Sequence, residues 1–156
     1  MFIISYYLFF VIYSILFGYL FQLDFSNFAN PWLCVLGILA LLLGAIISFL
    51  TQITATHIVG LLRKNKGYAN KFNHKFANSL LRLGLHLMRI KVIVTGRENI
   101  PKTDFIVVGN HQENWDALIV KPIFKDHALS FIAKEALTKL PIFGRWILLL
   151  GGVFIS

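Results

Sequence analysis

Polar and apolar positions divide the chain into three zones. From Met1 to Leu23 and again from Pro31 to Leu62 no side chain is charged, and Asp24 is the only acid before Glu98. Each run exceeds the roughly 20 apolar residues that carry a helix across a bilayer, and neither shows the polar face that a core helix of a soluble protein would turn to water. The stretch Asp24-Phe25-Ser26-Asn27-Phe28-Ala29-Asn30-Pro31 between them has turn composition, so residues 1–62 are predicted to form a transmembrane helical hairpin. A cleavable signal does not fit Met1–Leu23, which lacks a basic leader and a small-residue cleavage site and is too long.

Beyond residue 62 the pattern changes to period 3.6. From Tyr68 to Arg89, Lys71, Lys75, Asn78, Arg82, His86 and Arg89 mark one helical face, and Tyr68, Phe72, Phe76, Leu80, Leu83 and Leu87 mark another. Gly67, after Arg63-Lys64-Asn65-Lys66, is the expected break. Residues 63–90 are therefore predicted to be a basic amphipathic helix, which fits either the headgroup layer of anionic lipid or packing on a following domain with its charged face solvated.

After Lys91 the pattern becomes short β-branched runs separated by helix-compatible segments. Lys91–Thr95, Phe105–Val108, Leu129–Ala133 and Val153–Ile155 read as strands. Trp115–Phe124, Lys134–Leu137 and Ile142–Leu150 read as short helices, with Asn114 as an N-cap and Lys121-Pro122 closing or kinking the first. Strands alternating with helices predict an α/β fold with a largely parallel sheet over 91–156.

Composition supports this division. Hydrophobic residues make up 57% of the 156-residue chain, against roughly 45 to 50% in soluble domains, and mean hydropathy is +0.71. All 15 Lys and Arg lie at or after Arg63. The positive-inside rule then predicts a two-pass protein with the Asp24 turn outside and the body on the cytoplasmic side. The net charge of +8 would suit nucleic acid, but the apolar spans and the lack of a base-reading motif argue against that partner. Cys34, the single cysteine, excludes a disulfide framework and a thiolate metal site within one chain and is expected to pack in the second apolar run.

The candidate chemistry lies in Gly109-Asn110-His111-Gln112-Glu113-Asn114-Trp115-Asp116. His111 follows a predicted strand at its carboxyl end, the usual place for a site in an open α/β sheet. Asp116 falls in the first turn of a predicted helix, where the helix dipole favours a carboxylate. A four-residue loop can let Asp116 accept a hydrogen bond from one imidazole nitrogen, leaving the other as a base near neutral pH. This is a hydrolase triad without its serine, so the nucleophile would come from the substrate, as when an alcohol attacks an activated acyl group. A His-x4-Asp spacing by itself also occurs in ordinary loop hydrogen bonds. Glu113 is a competing carboxylate, and Trp115 suits packing better than acyl-chain contact.

Several ordered blocks resemble the glycerolipid acyltransferases, whose best-known members are the 1-acylglycerol-3-phosphate acyltransferases. They are Val94-Thr95-Gly96-Arg97-Glu98-Asn99-Ile100-Pro101, then Gly109-Asn110-His111 with Trp115-Asp116, then Ala133-Lys134-Glu135-Ala136-Leu137 with Pro141 and Gly144, and finally Gly152-Val153-Phe154-Ile155-Ser156. The resemblance implies His111 as catalytic base and Asp116, rather than Glu113, as its partner. It matches Lys134 to a family lysine that could attract substrate phosphate or an acidic acyl carrier, although a solvated lysine at a helix start reads the same way.

The implied reaction moves a fatty acyl group from acyl-CoA or acyl carrier protein to a lysophospholipid hydroxyl, with anionic lipid as a further partner and neither metal nor redox cofactor. In the family the last block is followed by a phosphate-binding arginine and a Phe-Pro-Glu-Gly block. Residues 91–156 are therefore expected to be the N-terminal part of a truncated domain. A catalytically silent lipid-binding or interaction module of the same fold is the competing expectation.

Overall fold

The computed structural model describes residues 1–21, 23, 30–63, 70–110 and 115–156, with Trp115 by its backbone alone. The expected Asp24 turn, the Gly67 break, Glu113 and the Asn114 cap lie outside the described residues. The chain divides into two compact units, Met1–Arg63 and Lys64–Ser156.

The first unit is a pair of helices, α1 (Phe2–Leu20) and α2 (Pro31–Leu62). At the start of α2 the Asn30 side chain accepts a hydrogen bond from Trp32 N at 3.0 Å, and Pro31 occupies the first turn, where its missing N–H costs nothing. Both helices are long and apolar enough to cross a membrane. The seam between them is made of small and polar residues. On α2 the buried positions are Ala40, Gly44, Ser48, Gln52, Thr56 and Gly60, a strict four-residue repeat. Gly44 lies against Ser14, and a Cβ there would stand 3.3 Å from Phe10 O. Ser48 Oγ donates to Tyr6 O at 2.7 Å, and the Tyr13 and Thr51 hydroxyls are 3.2 Å apart.

Small residues allow the backbones to approach, and side-chain hydrogen bonds supply the attraction that lipid-facing leucines cannot. Phe2 and Tyr6 of α1 are buried, and many other large apolar side chains point outward, with Ile4 75% and Ile15 67% exposed. Cys34, expected to pack, is also exposed; it stands in the first turn of α2, off the four-residue repeat that forms the seam.

The second unit is built on α3 (Lys71–Leu87), which Asn70 caps by accepting from Phe72 N at 2.8 Å. At its other end Arg89 takes a left-handed conformation with φ 55°. Arg89 N donates to His86 O and Ile90 N to Leu85 O, the paired bonds of a Schellman stop. Lys71, Lys75, Arg82 and His86 form an exposed basic stripe. The opposite side packs on the body through Asn73, His74, Phe76, Ala77, Asn78, Leu83 and Leu85. Two expected faces therefore shift: Asn78 is buried, where it donates to Lys125 O at 3.4 Å, and Phe72 is exposed.

Next comes α4 (Trp115–Ile123), with Pro122 in its last turn. A compact βαβ unit follows: β1 (Ile132–Lys134), a 3₁₀ turn over Glu135–Lys139, α5 (Phe143–Leu149) and β2 (Val153–Ile155). The strands are parallel, with Ile132 opposite Val153, Ala133 opposite Phe154 and Lys134 opposite Ile155. Parallel strands need a crossover, and glycine makes this one tight. A Cβ on Gly144 would meet Thr138 backbone at 2.9 Å, and one on Gly152 would meet Phe131 O at 2.7 Å. The core joins α3 to α5, with the Phe76 and Trp146 rings stacked at 4.8 Å and Asn73 Nδ2 donating to Leu149 O at 3.0 Å.

The sheet is smaller than the sequence pattern predicts. Among the described residues 91–95 and 105–108 pair with no strand, and the whole sheet is β1 with β2. Residues 91–95 keep the alternation of a strand, with Val92 and Val94 half-buried and Ile93 76% exposed. A strand becomes sheet only when a neighbour takes its N–H and C=O groups, and Ile106 and Val108, each 89% exposed, have none. The segment is instead held at Phe105, whose ring lies 5.7 Å from Phe124 and edge-on to His127 at 5.1 Å.

Candidate active site

Asp116 is the second residue of α4 and is half-buried in the first helical turn, where the exposed N–H groups favour a carboxylate. Its expected partner His111 lies outside the described residues. The segment leading to it, Gly109 and Asn110, is exposed. Lys134 ends β1 at the carboxyl end of the parallel pair, exposed and opposite Ile155. Both described members of the expected site thus stand at positions from which sites are assembled in parallel sheets: a helix start and a strand end. Among the described residues, no group of three or more His, Cys, Asp and Glu side chains is placed to hold a metal ion.

A buried polar arrangement in this unit was not singled out from the sequence. Lys121, 1% exposed, reaches from α4 to place Nζ 2.9 Å from His74 Nδ1 on α3 and 2.8 Å from Leu129 O, just before β1. Burial, reinforced by the neighbouring Lys121 ammonium, pushes His74 down to about 4. Burial also pushes Lys121 down to about 8. At neutral pH a charged Lys121 therefore donates to a neutral imidazole through Nδ1, which puts the ring proton on Nε2. Nε2 is buried and makes no hydrogen bond with the described residues. The sequence signal was the lysine inside the apolar run Ala117–Ile123, since a long cation at a helix position flanked by apolar residues needs a partner when buried.

Comparison with known proteins adds an independent observation for this unit. Residues 91–156 match the Acyltransferase family. The matched segment contains His111, Asp116 and Lys134. The chain is similar to the 1-acyl-sn-glycerol-3-phosphate acyltransferase of Borreliella burgdorferi, 37% identical over 79 residues that cover 49% of this chain and 30% of that protein. It is also similar to a protein of Mycoplasma pneumoniae named "Probable 1-acyl-sn-glycerol-3-phosphate acyltransferase". That match is 36% identical over 73 residues, 44% of this chain and 27% of the relative. The chain spans less than a third of the length of either relative. No solved structure matches it.

Proposed function

We propose that the protein is a membrane-anchored acyltransferase that moves a fatty acyl group from a thioester, acyl-CoA or acyl carrier protein, to the free hydroxyl of 1-acylglycerol 3-phosphate, giving phosphatidate. The observation that carries this reading is the match of 91–156 to the acyltransferase family, over a segment that includes both His111 and Asp116. His111 removes the hydroxyl proton as the oxygen attacks the thioester carbonyl carbon. The tetrahedral intermediate then collapses, the C–S bond breaks, and the proton passes from imidazole to the leaving thiolate. Asp116 accepts from the other ring nitrogen, fixing the tautomer and stabilising the transient imidazolium. The Lys134 ammonium, exposed at a strand end, attracts phosphate.

The substrates are lipids, and the rest of the chain suits that. In this reading α1 and α2 cross the bilayer as a hairpin, both termini and the acyltransferase segment lie on the cytoplasmic side, and the exposed Lys71, Lys75, Arg82 and His86 meet anionic headgroups. The test is thiol release from an acyl donor by membranes carrying the full-length protein, with lysophosphatidate as acceptor and acyl-CoA and acyl carrier protein thioesters as alternative donors. Acceptor-dependent release supports the reading. Release that is independent of acceptor, or absent with both donors, overturns it.

A further inference from the structure

Nine residues, with a proline in the last turn, make α4 too short to hold a direction by its own hydrogen bonds. The direction of its first turn, and so of Asp116, depends on what grips the other end. Exposed Arg97 donates through Nη1 to Ile123 O at 3.4 Å at the helix end, and the buried polar part of the grip is one side chain. Lys121 Nζ bonds His74 Nδ1 on α3 at 2.9 Å and Leu129 O before β1 at 2.8 Å, tying α4 at one point to two other elements.

Lys121 is 1% exposed and His74 4% exposed, so the ammonium has given up its water for these two acceptors. A leucine or methionine would fill the space without that cost, but apolar contact is non-directional, and hydrogen bonds to fixed acceptors select one helix rotation. Sliding or turning α4 by one residue would swing its side chains by about 100°.

We propose that Lys121 is a positioning residue, whose bonds to His74 and Leu129 fix the rotation and tilt of α4 and thereby the direction in which Asp116 meets His111. The proposal rests on the assignment of His111 and Asp116 as base and orienter, and its test is built so that the two can fail separately.

The probe is carbethoxylation of His111 by diethyl pyrocarbonate, which attacks only unprotonated imidazole, so its rate against pH reads the apparent pKa of that ring. The full chain is reacted in lipid nanodiscs and digested with trypsin. Cleavage after Lys102 and Lys125, with the Lys121-Pro122 bond spared, leaves His111 as the only histidine in the peptide Thr103–Lys125. The variants are Asp116→Asn, Lys121→Met, and His74→Leu with Lys121→Met together. The double variant replaces both side chains of the pair by apolar ones, which can preserve stability where the single variant leaves a buried acceptor unpaired.

Loss of the Asp116 carboxylate should lower the His111 pKa by roughly 1 unit. Loss of the strut should lower it by at least about half a unit in both Lys121 variants, with the double variant retaining its melting temperature. Charge alone predicts the opposite sign, because removing a cation favours protonation of a nearby imidazole. A His111 pKa that stays put or rises in the double variant, while Asp116→Asn lowers it, overturns the strut alone. No change in Asp116→Asn overturns the dyad, and the strut with it.

Discussion

Acidification should weaken the second unit through His74 before its carboxylates are all protonated. In the folded chain burial and the Lys121 ammonium hold the imidazole at about 4, against an ordinary value near 6.5. Between these values the unfolded chain binds a proton that the folded chain does not, so stability is fully present above about pH 6.5 and is lost as pH falls towards 4. Each unit of difference corresponds to about 1.4 kcal/mol, which sets a ceiling of about 3 kcal/mol over the window and about 2 kcal/mol by pH 5. With typical domain stabilities of about 5 to 15 kcal/mol, that is a large fraction.

The assay is urea unfolding in detergent micelles, followed by the fluorescence of Trp146, which stacks on Phe76 in the core, at pH values from 4.5 to 7.5. Other groups also titrate there, so the comparison is with His74→Asn, whose carbonyl oxygen can accept from Lys121 but does not titrate. The wild-type curve should fall more steeply below pH 6.5 than that of the variant. Parallel curves would refute the buried, neutral His74 on which the reasoning rests. Lys121 works at the other end of the scale. Its value of about 8 in the folded chain, below the usual 10.5, means that stability should rise as pH increases from about 8 to 10.5.

Other outcomes follow from single contacts. Gly152→Ala, which puts a Cβ 2.7 Å from Phe131 O, should destabilise the βαβ unit by about 1 to 3 kcal/mol in the same urea assay; no loss would mean that the crossover is looser than described. Gly44→Val should separate α1 from α2 where Gly37→Val does not, because nothing lies within 4 Å of the Gly37 Cβ position. The readout is disulfide formation between cysteines placed at Tyr13 and Thr51, which should fall only in the Gly44 variant. With Cys34 replaced by Ser, a cysteine at Asp24 should react with an impermeant maleimide from outside and one at Lys102 only after the membrane is opened; labelling of Lys102→Cys from outside would reverse the proposed orientation.

What the sequence shows and what it hides divide along physical lines. The charge-free runs announced α1 and α2 because an uncharged stretch of that length has few other uses, but hydrophobicity alone did not show their seam. That required reading Ala40, Gly44, Ser48, Gln52, Thr56 and Gly60 as one stripe of the helix. The basic face of α3 is where its periodicity puts it, since exposed charge is a local property. The buried polar face is not: His74 and Asn78 meet Lys121 and Lys125 O, each 47 residues away, and no local pattern carries such a pairing.

Strands divide in the same way. Val153–Ile155 and part of Leu129–Ala133 pair, whereas 91–95 and 105–108 carry the same β-branched pattern without a strand partner among the described residues, because alternation specifies a surface and not its neighbour. For the site, the helix-start carboxylate at Asp116 was legible from the pattern, whereas Lys134 came from the resemblance and was expected to open a helix, not to end β1 as it does. Lys121 was hidden by reading Lys121-Pro122 only as a helix stop.

Turnover of His111→Ala and Asp116→Asn tests the central claim most directly. In the full-length protein, with lysophosphatidate and whichever thioester donor the wild type uses, His111→Ala should lower kcat by at least ~10²-fold, the lower end of what a positioned general base contributes. Membrane insertion should be unchanged. Asp116→Asn should also lose activity, because an amide can offer its N–H to the imidazole and select the wrong tautomer. Near-normal kcat in either variant would contradict the account.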